Sequence, residues 1–174
     1  MTTMFRQGAL DPRALTTLGT RLRGTLIRPG DASYESQRRV WNGSIDRYPA
    51  SIARCADAAD VATALGFART HGLPIAVRGG GHSFPGHSVC DDGMVIDLSL
   101  MKGIRIDPDA RTARVQAGLL LGELDQATQA YALAVPAGIV THTGVAGLTL
   151  GGGLGWIMRK YGLTVDNLLS VDTV

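Results

Sequence analysis

The apolar positions of the chain change period from segment to segment, and each period predicts an element. Residues 12–22 read as a short helix, and "LIRPGD" as a strand ending in a Pro-Gly turn. In "DASYESQRRVWNGSIDRYPA", Tyr34, Val40 and Trp41 are expected to anchor a short helix that Asn42-Gly43 stops. "SIARC" is a strand, and a helix capped by Asp57 or Asp60 runs to about His71 with Val61, Leu65 and Phe67–Ala68 on its apolar face. Gly72 follows where a left-handed residue is wanted, and "LPIAVRG" is a second strand. The crossover rule makes these two strands parallel. "GMVIDLS", "GIRIDP" and "TARVQAG" predict three more strands, the last two joined as a hairpin through "DPDAR".

A helix is expected over about 119–133, with Leu120, Leu121, Leu124 and Ala127 spaced for one buried face. "AVPAG" returns as extended chain. A glycine cluster then leads into a short helix, a loop and a last strand, "LLSVDTV". That strand is apolar and has no polar tail, so a downstream polypeptide or an oligomer is expected to cover its edge.

Composition narrows the function classes. The chain has 174 residues, enough for one sizeable domain or two small lobes, with 45% hydrophobic and 18% charged residues. A net charge of +2, scattered arginines and few aromatics argue against a nucleic-acid surface. Cys55 and Cys90 have no metal-type spacing and point to a reducing, cytoplasmic setting. The N-terminus lacks an apolar leader. Gln126 to Met158 is free of Asp, Glu, Lys and Arg, yet its seven glycines make a membrane span untenable.

Glycine is the outlier: 23 residues, concentrated in two stretches. The first is "RGGGHSFPGHS", residues 78–88, which opens at the end of the second parallel strand, where open α/β sheets bind ligands. No lysine follows a glycine as a P-loop requires. The dinucleotide fingerprint fails as well. From Gly79 and Gly81 its third position is Phe84, and from Gly151 and Gly153 it is Trp156. What remains is a concavity of consecutive N–H groups that holds an anion without a lysine, two such loops sharing a pyrophosphate, or a pair of plain tight turns. His82 and His87, with Cys90, Asp91 and Asp92 nearby, match no compact zinc module, and His87 and His142 read as ordinary turn or surface histidines.

These segments resemble the FAD-linked oxidases with a vanillyl-alcohol-oxidase-type (PCMH-type) FAD domain, specifically the berberine-bridge-enzyme-like group. "AVRGGGHSFPGHS" is similar to the flavin-attachment segment. "DAADVATALGFARTHGLPIAVRGGGHS", "GMVIDLSLMKGIRIDPDARTARVQAG" and "VPAGIVTHTGVAGLTLGGGLGWIMRKYGLTVDNLLSVDTV" resemble consecutive family segments in order, so the likeness covers residues 25–174. It implies an α+β, two-lobed FAD-binding domain. A leader over 1–45 precedes a first lobe at 46–110 and a second, incomplete lobe at 111–174, with the substrate domain and catalytic base beyond it.

The resemblance also implies roles for particular residues. His82 would be joined to the 8α-methyl of FAD. Gly79, Gly80, Gly81 and Ser83 would line the pyrophosphate, and Gly144, Gly147, Gly151, Gly152 and Gly153 the flavin, with Pro136, Ala137 and Gly138 nearby; Arg78, Thr143 and Gly155 are also expected to bind the cofactor. Tyr161, Asp166 and Asn167 would close a loop over the cofactor. Some relatives attach flavin a second time through a cysteine of a C-P-[ST]-V-G-x-G-G pattern; Val140 stands at that position, so one covalent link is expected. The implied activity passes a hydride from a sugar, alkaloid-like or phenolic substrate to FAD and then to O2, with no nucleic-acid or membrane partner. The alternative is a non-catalytic flavin- or nucleotide-binding fragment.

Overall fold

A computed structural model describes residues 11–174. The first ten residues of the predicted leader therefore lie outside the described residues. Helix α1 (Pro12–Arg21) starts where the sequence places it, because the Asp11 carboxylate accepts the Arg13 N–H and Pro12 occupies the first turn. Strand β1 (Thr25–Ile27) and the single turn α2 (Tyr34–Gln37) follow. The predicted βαβ unit is present as β2 (Ser51–Arg54), α3 (Ala58–Thr70) and β3 (Ile75–Arg78), and β4 is Met94–Asp97.

These four strands form one sheet in the order β1-β2-β4-β3. β2 and β3 are parallel, as the crossover predicts, but β4 lies between them and is parallel to both. Its four residues are all buried, which fits a strand covered on both faces. Leu18, Ala53, Ala64, Met94 and Ile96 pack one face of the sheet against α1 and α3. Ile52, Ala76, Val89 and Val95 pack the other, with Tyr34 wedged in and its hydroxyl donating to the Pro49 carbonyl at 2.8 Å.

The two aspartates at the start of α3 divide their work. Asp57 caps the helix by accepting the Asp60 N–H. Asp60 turns the other way and accepts the N–H groups of Arg23, Gly24 and Ala56, tying the leader to the helix. Burial pushes its carboxyl pKa up, but these three backbone donors bring it below the usual value. Gly72 ends the unit at φ +62°, as expected.

Beyond the sheet, β5 (Ile104–Asp107) and β6 (Thr112–Val115) form the predicted hairpin. Helix α4 spans Leu121–Gln129, shorter than expected, because Glu123 accepts the Leu120 N–H and fixes the start there. Leu119, Leu121, Leu124, Ala137 and Val145 form a third, separate core. The second glycine cluster contains a helix that its composition hides, α5 (Val145–Leu150), ahead of α6 (Met158–Tyr161) and a 3-10 turn (Val165–Asn167).

Two expectations are corrected. The strand predicted over 168–174 does not form: it is hydrogen-bonded into neither described sheet, and Asp172 meets β6 only through its ion pair with Arg114 at 2.6 Å. Trp41, expected as a core anchor, is 57% exposed. The Arg78 guanidinium binds the carbonyls on either side of Arg38, and this holds the chain so that residue 41 faces outward from the core.

Candidate functional site

Strand β3 delivers Arg78 and the three glycines to the rim of a cleft of about 270 Å³ between the two lobes. The cleft is lined by Arg78 and Gly79–Gly81, by Ser36, Gln37, Arg39, Val40 and Trp41 of the strap 36–41, and by Asp97, Ser99, Lys102, Gly118, Leu120 and His142. Arg78 is buried and its charge is already committed. It donates to Asp97 at 2.8 Å and to the Gln37 carbonyl at 2.6 Å. It therefore orders the strap while forming part of the cleft wall. Trp41 completes the strap's attachment by donating its N–H to the Gly81 carbonyl at 3.1 Å.

The glycines have distinct reasons. A Cβ on Gly80 would overlap the backbone of Gly144, and one on Gly144 would overlap Gly80. The two glycine stretches thus meet backbone to backbone, and the contact joins the lobes. Gly81 has φ +72°, a conformation that side chains disfavour. The N–H groups of Gly79, Gly80, Gly81 and His82 donate to no acceptor among the described residues. A run of free amides bent through a left-handed glycine is the concavity that phosphate oxygens occupy, so these residues fit the diphosphate of a dinucleotide. Ser83 stays within its own turn: its hydroxyl accepts the His87 N–H at 3.0 Å.

His82 follows at once and is flanked by two rings. Trp41 stacks on it with centroids 5.1 Å apart and planes 18° apart. On its other side Nε2 lies 2.6 Å from His142 Nδ1. His142 is placed by its neighbours: the Gly122 and Leu121 amides donate to the carbonyls of Thr141 and Thr143 at 2.8 and 2.9 Å. Burial and then the adjacent His142 lower the pKa of His82, which keeps the ring neutral at neutral pH. A neutral imidazole between an indole and a second imidazole is a nucleophile held in one orientation. His142 was missed by sequence reasoning. It lies 60 residues from His82, and only the close approach of Gly80 and Gly144 foreshadows their meeting.

The remaining predicted residues sit apart from the cleft. Pro136 and Ala137 are buried, Ala137 in the third core, and Gly138 is crowded by Leu121 and Leu148. Gly155 has no room for a side chain because of the Ala137 carbonyl. Gly152 and Gly153 accept the N–H groups of Val165 and Thr164, so the C-terminal loop folds back on them. Within that loop Asn167 donates to the Tyr161 carbonyl and Asp166 accepts the Leu163 N–H. Gly151 ends α5. Gly147 alone in this cluster has nothing within 4 Å of the place a Cβ would take. Val140 is 41% exposed, two residues before His142. Among the described residues no group of three or more His, Cys, Asp or Glu could hold a metal, and no helix is long and apolar enough to cross a membrane.

Comparison with known proteins points the same way as this geometry. The family model described as an FAD binding domain matches residues 49–174. An uncharacterized FAD-linked oxidoreductase of Bacillus subtilis (strain 168) is 39% identical over 155 residues, which is 89% of this chain and 34% of that protein. The (R)-6-hydroxynicotine oxidase of Paenarthrobacter nicotinovorans is 38% identical over 153 residues, 88% of this chain and 33% of that one. The solved structure of BBE-like 1 from Physcomitrella patens superposes with a TM-score of 0.83 at 33% identity, covering 87% of this chain and 34% of its own. The chain spans about a third of the length of the curated relatives it matches.

Proposed function

The chain belongs to the FAD binding domain family, and from that premise we propose that it is the flavin cradle of an FAD-linked oxidase that holds its cofactor through one covalent bond to His82. One observation carries the reading: His82, held between Trp41 and His142, directly follows three glycines that line the cleft and whose amides, like its own, have no acceptor among the described residues. The amides of Gly79–Gly81 and His82 bind the diphosphate, and the imidazole anchors the ring end. Val140 supplies no thiol for a second attachment. When bound, FAD accepts a hydride from an organic substrate and passes the electrons to O2.

The substrate class is a sugar, an alkaloid-like amine or a phenol. Its contacts and the catalytic base come from polypeptide outside the 174 residues. That polypeptide also covers the apolar surface left by Trp156 and Leu169, which are 86% and 80% exposed.

The test is direct. The full-length protein, purified and then acid-denatured, is expected to keep its yellow flavin in the pellet, and His82→Ala to release it to the supernatant. A wild type that gives up all its flavin on denaturation removes the covalent bond from the reading. A protein that never takes up FAD removes the cradle itself. Peroxide formed with substrate separates an oxidase from a flavin binder without turnover.

A further inference from the structure

We propose that His142 is the proton acceptor that makes His82 a nucleophile toward the flavin; this role rests on the covalent attachment proposed above. One proton is shared across the 2.6 Å contact between His82 Nε2 and His142 Nδ1, and its two placements have opposite consequences. With the proton on His142, the Nε2 lone pair of His82 is engaged and its Nδ1 carries the other hydrogen, so neither nitrogen can attack. With the proton on His82 Nε2, the Nδ1 lone pair is free. Only this second tautomer bonds to carbon, and His142 selects it by presenting an unprotonated Nδ1.

The same contact completes the proton balance. In the coupling, one C–H bond of the 8α-methyl group would break, its proton leaving to water, and one C–N bond would form at His82 Nδ1. The new bond makes the imidazole cationic, and its Nε2 proton passes to His142 Nδ1. His142 is exposed, so the proton continues to water through its other nitrogen. The electron pair of that C–H bond would be left on the isoalloxazine, and dioxygen would take it up with the two released protons as hydrogen peroxide. Trp41, parallel to His82 within 18°, keeps the attacking nitrogen from rotating away.

A single-turnover experiment tests this. Full-length protein made under flavin starvation is mixed with FAD, and covalent flavin is followed by mass after denaturation. His142→Ala is expected to bind FAD but to couple on the order of 100-fold more slowly, with imidazole in the buffer restoring much of the rate. His142→Gln, whose amide oxygen accepts the Nε2 hydrogen but cannot take the proton, is expected to stay slow, and it carries the test if the alanine variant does not fold. Digestion of the wild type should place the bond on Nδ1. A glutamine variant that couples at the wild-type rate, or a wild-type bond on Nε2, overturns the proposal. A wild type that forms no covalent flavin overturns the attachment and this role with it, whereas equal coupling by wild type and variant overturns this role alone.

Discussion

The two glycine clusters look interchangeable on paper but differ in what crowds their backbones. In the first, Gly80 is pressed against Gly144 of the other lobe, while its neighbours' amides have no acceptor among the described residues. In the second, Gly152 and Gly153 lie at φ +105° and +77°, and their carbonyls are taken by the returning loop at 164–165. The first cluster meets Gly144 backbone to backbone beside the cleft, whereas Gly152 and Gly153 of the second hold a returning loop. Glycine density alone therefore marks close approach and leaves open what approaches.

The most damaging way to probe this difference is Gly80→Ala. Both partners of the contact are backbone, so neither can swing aside, and a destabilisation on the order of 4 kcal/mol is expected. Thermal unfolding with and without FAD measures it. A variant of wild-type stability would mean that the lobes do not depend on this contact. Next in size is Arg78→Met, which severs the buried pair to Asp97 and frees the Gln37 carbonyl. Arg54 remains 3.8 Å from Asp97 and limits the cost to about 3 kcal/mol. The strap should loosen as well, seen as a red-shifted Trp41 fluorescence and slower covalent coupling at His82. Unchanged emission would separate the strap from the ion pair.

How much of this was legible in the sequence depends on range. The β2–α3–β3 unit, its Asp57 cap, its Gly72 terminus and the hairpin are all written in local patterns of period and turn chemistry, and they stand as expected. The insertion of β4 between β2 and β3 is a choice among pairings that no local signal makes. α5 was hidden because three of the residues at its ends and middle are glycine, and its stability comes from Val145 and Thr149 being buried rather than from propensity. The last apolar run reads as a strand by composition but has no partner strand among the described residues. At the cleft, the motif's position after β3 was legible, whereas the contacts of Trp41 and His142 with His82 span 41 and 60 residues of chain.

Gly153→Ala tests the second cluster on its own terms. The position has φ +77°, and a Cβ there would overlap Oγ1 and Cβ of Thr164 and crowd Leu148; the Thr164 Cβ is fixed by its backbone and cannot swing aside. A loss of about 2 kcal/mol is expected, with flavin affinity kept in the molecules that fold. If flavin is lost while the melting temperature holds, Gly153 faces the cofactor and the two clusters are alike after all.

The smallest effect sharpens the contrast most. Gly147 lies inside α5, is exposed, and has open space where a Cβ would stand, so nothing within the protein explains the glycine. Alanine there adds helix propensity, and the flavin-free protein should gain about 1 kcal/mol of stability. If the space belongs to the flavin, the same substitution should weaken FAD binding, so that the ligand-induced rise in melting temperature shrinks although the free protein melts higher. Opposite signs in the two measurements would make Gly147 the one residue of the second cluster that serves the cofactor. A gain in stability with undiminished FAD binding would leave the ligand to the first cluster and to His82.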